Sequence, residues 1–186
     1  MDSITSNNKP KTPTSNGFTQ FEMVIVIILI SILSAVAIQR MWSWRYEIER
    51  TFVETVKGNI KSALGLQTAN LALKGKLNLL FTLAGSNPFS LLAQKPDKYL
   101  GILTDKQAEN YPAGSWYFND QQKALVYLVE HSEYFQTDLK GRPRIRLMIR
   151  LIYTDKNLNR RYEPGVDGID GLDLVSLDNY RWKEAD

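Results

Sequence analysis

Side chains that could do chemistry are few in this chain and widely spaced. It has no cysteine among its 186 residues and one histidine, His131. Disulfides, thiolate metal sites and cysteine nucleophiles are thereby excluded, and multi-histidine metal centres with them. A catalytic triad would rest on His131 alone, and no nucleophile–base spacing, phosphate loop or zinc motif accompanies it. Its place at the end of an apolar run reads as a strand end. Arg144, Arg146 and Arg150 share one face of an alternating segment and could touch phosphates. Glu130 and Glu133 lie close enough upstream to pair with them, so the row reads as a solvated strand face and nucleic acid is not an expected partner. The overall balance, 23 Lys+Arg against 20 Asp+Glu and a net charge of +3, gives no general argument for a polyanion either.

Oxygen side chains recur at alternate positions near the C-terminus: Asp155, Asn157 and Asn159, then Glu163, Asp167, Asp170 and Asp173. Hard cations such as Ca2+ take such ligands. The opening resembles calcium loops of the EF-hand type. It departs from them at Arg160, where a glycine is expected, and at Val166, where the closing glutamate would fall. Arg160 and Arg161 would also repel an ion. Asx-turns and Asp-Gly turns account for the same composition. Both readings stay open, with Asp155, Asn157, Asn159 and Glu163 as the candidate Ca2+ ligands; no other cofactor is indicated.

One further acid stands out by its surroundings. Glu22 sits near the start of an apolar block that runs from Phe18 to Ile38. At about 21 residues this block is roughly 32 Å long as a helix, which matches a bilayer core. A carboxylate in a spanning segment costs about 2.5–3.5 kcal/mol at its centre and less toward the interface. A plain anchor or signal peptide has no use for that cost, although snorkelling of Glu22 to the headgroups would lower it. Ala35-Val36-Ala37 has the small-x-small pattern of a secretory cleavage site, but the apolar run is long for a signal peptide. The polar segment Met1–Asn16 ahead of it has no apolar period and predicts no packed structure.

The register of these features resembles the N-terminal signature of type IV pilins and type II secretion pseudopilins. The matching stretch is Gly17-Phe18-Thr19-Gln20-Phe21-Glu22, followed by apolar residues to Ala37. The resemblance implies a leader, residues 1–17, cut between Gly17 and Phe18 by a prepilin peptidase that also methylates Phe18. It implies that Glu22 is the assembly glutamate, meeting the Phe18 amine of a neighbouring subunit. Implied partners are that peptidase, other pilin or pseudopilin subunits and an inner-membrane assembly platform. Asn16 replaces the frequent basic residue, and Gln39 stands where major pilins often carry proline; the latter suits a minor subunit. The charges flanking the span do not fix orientation, because Lys9 and Lys11 precede it while Arg40, Arg45 and Arg50 follow. A cytoplasmic N-terminus and a periplasmic head are implied by the resemblance only.

The elements that must carry these residues read as follows. Trp42, Tyr46, Val53, Val56, Ile60, Leu64 and Leu71 recur with a period near 3.6, interrupted by Glu49 and Gln67. This stripe continues the apolar helix amphipathically over 39–75, and Lys74-Gly75-Lys76 predicts its end. A single helix from Phe18 to Lys74 would be roughly 85 Å long. Trp42 and Trp44 suit either a membrane-interface belt or head-domain packing. Residues 76–186 form the head. Asn78–Gly114 reads as mostly irregular, with a short helix at Pro88–Ala93. Strands are expected at Ser115–Phe118, Lys123–His131, Arg144–Tyr153 and Gly171–Leu177. The expected fold is α+β and pilin-like, a long N-terminal helix on an antiparallel meander of three or four strands. The expected function is a non-enzymatic subunit of a type IV pilus or pseudopilus. The competing expectation is a secreted or membrane-anchored domain of another function, an enzyme among the possibilities.

Overall fold

The computed structural model describes residues 18–42 and 45–183. The leader with its Gly17, together with Ser43, Trp44 and residues 184–186, lies outside the described residues, as do the side chains of Trp42 and Tyr46. Two compact units divide at Trp42 and Ser43. The expected long helix is described in two stretches, α1 (Gln20–Trp42) and α2 (Arg45–Leu73), and the two residues between them lie outside the described residues.

α1 is the first unit. Its Gln20–Ile38 stretch is long and apolar enough to cross a membrane, with a mean hydropathy of 2.8 and none of it buried. Thr19 caps it: the hydroxyl accepts the Glu22 N–H at 3.2 Å, and its carbonyl accepts the Met23 N–H at 3.1 Å. Ser31, polar inside the run, donates its hydroxyl to the Ile27 carbonyl at 2.7 Å, so it offers no unsatisfied group.

The second unit is α+β. α2 buries Val53, Val56, Ile60, Leu64 and Leu71, the predicted stripe. At ~1.5–3 kcal/mol for each buried side chain, this packing outweighs the ~1 kcal/mol that Gly58 and Gly65 each cost the helix. The helix ends as its sequence predicts. Gly75 has φ +64°, the Lys76 N–H reaches the Leu71 carbonyl at 2.8 Å, and the Gly75 N–H reaches that of Ala72 at 3.0 Å. These two bonds make a Schellman cap.

The stripe covers a sheet with strand order β1-β2-β3-β5-β6, made of β1 (Tyr99–Ile102), β2 (Trp116–Asn119), β3 (Ala124–Leu128), β5 (Arg144–Thr154) and β6 (Gly168–Ser176). The sheet is mixed, which corrects the expected antiparallel meander. β1 runs parallel to β2, with Tyr99 opposite Trp116, and lies in the segment read as irregular. Gly101, at φ +89°, breaks the strand pattern in sequence and marks the irregular register in the structure. β4 (Phe135–Thr137) leaves the sheet and pairs with β7 (Tyr180–Trp182) as a separate ribbon.

β2 and β3 are buried throughout, because both faces are covered. One face meets α2 through Trp116, Phe118, Leu125 and Tyr127. Tyr117, Val126 and Leu128 on the other meet Ala108 of the short α3 (Asp105–Ala108), with Leu100 and Leu103 alongside. Asp105 locks that second layer by accepting Tyr117 Oη at 2.9 Å, Asn119 Nδ2 at 2.7 Å and Gln122 Nε2 at 2.8 Å. Burial alone would raise the Asp105 pKa, but these bonds, joined by the Arg144 charge, hold it below the ordinary carboxylate value. The predicted short helix is a 3-10 turn, Pro88–Leu91, capped by Asn87, whose Oδ1 accepts the Phe89 N–H at 3.1 Å.

Candidate functional site

The N-terminal site begins with a side chain free of regular structure. Phe18 precedes the Thr19 cap and is 79% exposed. Glu22 occupies the third position of α1, where a carboxylate is favoured by the unpaired amides and the positive end of the helix dipole. Among the described residues no side-chain partner meets that carboxylate. The exposed first turn therefore carries an acid that its own helix tolerates and does not consume. Gly17 lies outside the described residues.

The second arrangement was not anticipated. Glu49 interrupts the apolar stripe, yet it is only 6% exposed. Its Oε1 accepts Tyr127 Oη at 3.0 Å and the Glu130 N–H at 2.7 Å. Its Oε2 accepts the His131 N–H at 2.9 Å and lies 2.8 Å from His131 Nδ1. A buried carboxylate is tolerable only when its lone pairs are filled in this way. The strand predicted to reach His131 stops at Leu128: the Val129 N–H still reaches the Pro143 carbonyl at 3.1 Å, but the Glu130 and His131 amides turn to Glu49. Burial first, then the Glu49 charge, pushes the Tyr127 phenol well above its ordinary pKa. His131 is thus held at the strand end, as its sequence position suggests. The signal for the clasp was the lone acid at a core position of α2, which has meaning only once its partner strand is known. A cavity of about 350 Å3 adjoins it, with Ile48, Phe52 and Tyr127 on its wall.

In the C-terminal loop the oxygens predicted to gather a cation face the loop's own donors. Asp155 accepts the Arg160 N–H at 2.6 Å and the Asn159 N–H at 3.3 Å. Asn157 Oδ1 accepts the Asn159 N–H at 3.2 Å, while its Nδ2 donates to Glu163 Oε2 at 2.6 Å. Asn159 accepts the Arg161 N–H at 2.8 Å. Asp167 accepts the N–H groups of Lys156 and Glu163 at 3.0 and 2.8 Å. Asn157 and Asn159 each close an Asx-turn on the amide two residues ahead, Asp155 and Asp167 tie more distant amides of the loop, and Leu158 and Arg160 sit at φ 61° and 62° within it. The structure brings Asn157 to Glu163, and Asp155 and Asn157 to one shared amide. Among the described residues no group of three or more acidic or histidine side chains is placed to hold a metal.

The arginine row pairs differently from expectation. Arg146 Nε donates to Asp178 Oδ2 at 2.7 Å and Arg146 Nη1 to Gln122 at 3.1 Å. Asp178, in the turn after β6, replaces the expected Glu130 and Glu133 because β5 lies between β3 and β6. Glu130 instead lies 3.8 Å from Lys98. Arg144 donates to the carbonyls of Arg142 and Lys140 at 3.1 and 3.3 Å. Arg150 is exposed, opposite Asp173.

Comparison of the chain with protein-family models, with curated proteins and with solved structures returns no match.

Proposed function

We propose that this chain is a minor pilin-like or pseudopilin-like structural subunit. It is processed between Gly17 and Phe18, methylated on Phe18, and assembled through α1 into a type IV pilus or type II secretion pseudopilus. The observation that carries this reading is the register of Gly17, Phe18 and Glu22 ahead of an apolar helix whose described side chains are all exposed. Processing creates an ammonium at Phe18, four residues from Glu22. In a low-dielectric filament interior, pairing that ammonium with the neighbour's Glu22 carboxylate is favourable, whereas either charge left alone is penalised heavily. Register is thereby coupled to assembly, and α1 resides in the bacterial inner membrane beforehand with the head on the periplasmic side. No side chain is assigned a catalytic role.

Mass spectrometry of the mature N-terminus tests this reading. N-methyl-Phe18 is the expected result. A start at Val36 or Ile38 would replace the reading with a secreted domain released at Ala35-Val36-Ala37. An intact Met1 would leave a membrane-anchored domain.

A further inference from the structure

The turn that leads into β5 sets Lys140, Arg142 and Arg144 around a cavity of about 200 Å3. Asp105 and Glu109 line its α3 side, and Ala108, Tyr117 and Leu128 supply an apolar wall. Each arginine is anchored through a single nitrogen. Arg142 Nη1 donates to the Tyr111 carbonyl at 2.7 Å and to the Ala108 carbonyl at 3.4 Å. Arg144 Nη1 donates to the carbonyls of Arg142 and Lys140. Backbone carbonyls fix the place of a guanidinium without neutralising it.

Among the described residues none of these three cations forms an ion pair with a carboxylate. Asp105 feels the Arg144 charge, yet its oxygens are taken by Tyr117, Asn119 and Gln122. Glu109 is exposed and bonded to none of the three. Arg146, two residues along β5, shows the usual arrangement. Its Nε and Nη2 donate to the two oxygens of Asp178, the parallel pair of bonds that a planar guanidinium makes with a carboxylate. On Arg144 the same edge has no acceptor among the described residues, and its Nε is buried in that state. A buried donor without an acceptor is penalised, most of all on a charged group. An acceptor from outside the chain removes the penalty.

We propose that this cavity is a carboxylate-binding site, with Arg144 receiving the carboxylate on its Nε–Nη2 edge and Arg142 and Lys140 adding positive charge. Charge sets the ligand class. Three cations face two carboxylates, so the lining carries one net positive charge. That balances one carboxylate; a phosphate ester carries about −1.5 to −2 at pH 7 and is not balanced. Size agrees, because drug-sized ligands take about 300 Å3 or more, whereas this volume suits the end of an acidic side chain or a small free acid. Ala108 and Leu128 are placed to pack against the methylenes behind the acid. The site belongs to the head and holds however the N-terminus is processed.

The test uses the full chain, labelled with nitrogen-15, in detergent micelles at pH 7. The Nε–H signals of Arg142 and Arg144 are followed by NMR while chloride is exchanged for acetate at constant ionic strength. Both signals should move saturably, and inorganic phosphate should bind more weakly than acetate. Arg144→Lys keeps the charge and loses the paired bonds, so acetate binding, read at Arg142, should weaken at least about tenfold. Lys140→Gln alters an exposed side chain with no partner among the described residues and should weaken it about threefold. Glu109→Gln removes a competing charge and should tighten it. No saturable movement, phosphate binding as tightly as acetate, or unchanged affinity in Arg144→Lys would overturn the proposal. If Arg144→Lys perturbs the fold, unchanged affinity in Lys140→Gln overturns it instead. A glutamate between two glycines, blocked at both ends, separates the two sources of the group. Binding as tight as acetate assigns the side chain of a partner protein, and acetate binding with the peptide excluded assigns a small acid.

Discussion

Removing the Glu49 carboxylate tests whether the clasp between α2 and the end of β3 holds the head together. Glu49→Ala deletes an acceptor that takes Tyr127 Oη, two backbone amides and the His131 ring. Breaking a buried charged network costs about 3–5 kcal/mol. The His131 side chain is 24% exposed, and a cavity of about 350 Å3 adjoins the site, so water can reach part of what is orphaned. The lower end, about 3 kcal/mol, is therefore expected. Glu49→Gln keeps the volume and one acceptor oxygen but sets an amide donor against an amide donor, and should cost about 1–2 kcal/mol. Urea unfolding of a head fragment starting at Ser43 measures both. The discriminating step is a cycle with Tyr127→Phe. In the parent, that change removes one donor and costs about 1 kcal/mol. In the Glu49→Ala background it removes an orphaned hydroxyl and should cost nothing or stabilise, a coupling of about 1 kcal/mol. Equal costs of Tyr127→Phe in both backgrounds, or a Glu49→Ala loss below ~0.5 kcal/mol, would refute the argument.

Asp105 has a folded pKa below its unfolded one, so its contribution is present above the unfolded value, near pH 4, and is lost as pH falls through the folded value; Asp105→Asn should lower stability at pH 7 and flatten the acid limb of the urea midpoint against pH. Asp155→Ala should cost the head about 0.5–2 kcal/mol by freeing the Asn159 and Arg160 amides that its carboxylate ties, equally in Ca2+ and in chelator. A Ca2+-dependent rise in melting temperature that Asp155→Ala abolishes would establish the metal site in place of the turn. Glu22→Ala should leave membrane residence intact or improved while filament incorporation falls; unchanged incorporation in a system that requires the subunit would count against the pairing role. Gly17→Trp should leave unprocessed chain in the membrane, read by its size on a gel, and a normal-sized product would reject the cleavage site.

What was legible in the sequence is what repeats locally. The apolar stripe of α2 and its glycine cap follow from helical periodicity and from the one residue type that accepts a left-handed conformation at low cost. The alternation of Ile145, Leu147 and Ile149 against Arg144, Arg146 and Arg150 follows from the two-residue period of a strand and matches their burial. The Phe18–Glu22 register and the span-length α1 are equally local. Partner choice was not legible. Whether β1 pairs parallel with β2, whether Arg146 meets Glu130 or Asp178, and whether Glu49 is a flaw in a stripe or the anchor of a strand end all depend on segments tens of residues apart meeting in space. The acidic loop shows the same division. Its composition fits either a cation or a set of turns, and only the folded chain shows Asp155, Asn157, Asn159 and Asp167 taking backbone amides of the loop while Glu163 takes the Asn157 side chain. Local period is set by backbone geometry that every residue shares; pairing between distant elements is set by the packing that brings their apolar faces together, as α2 and α3 do on the two faces of β2 and β3.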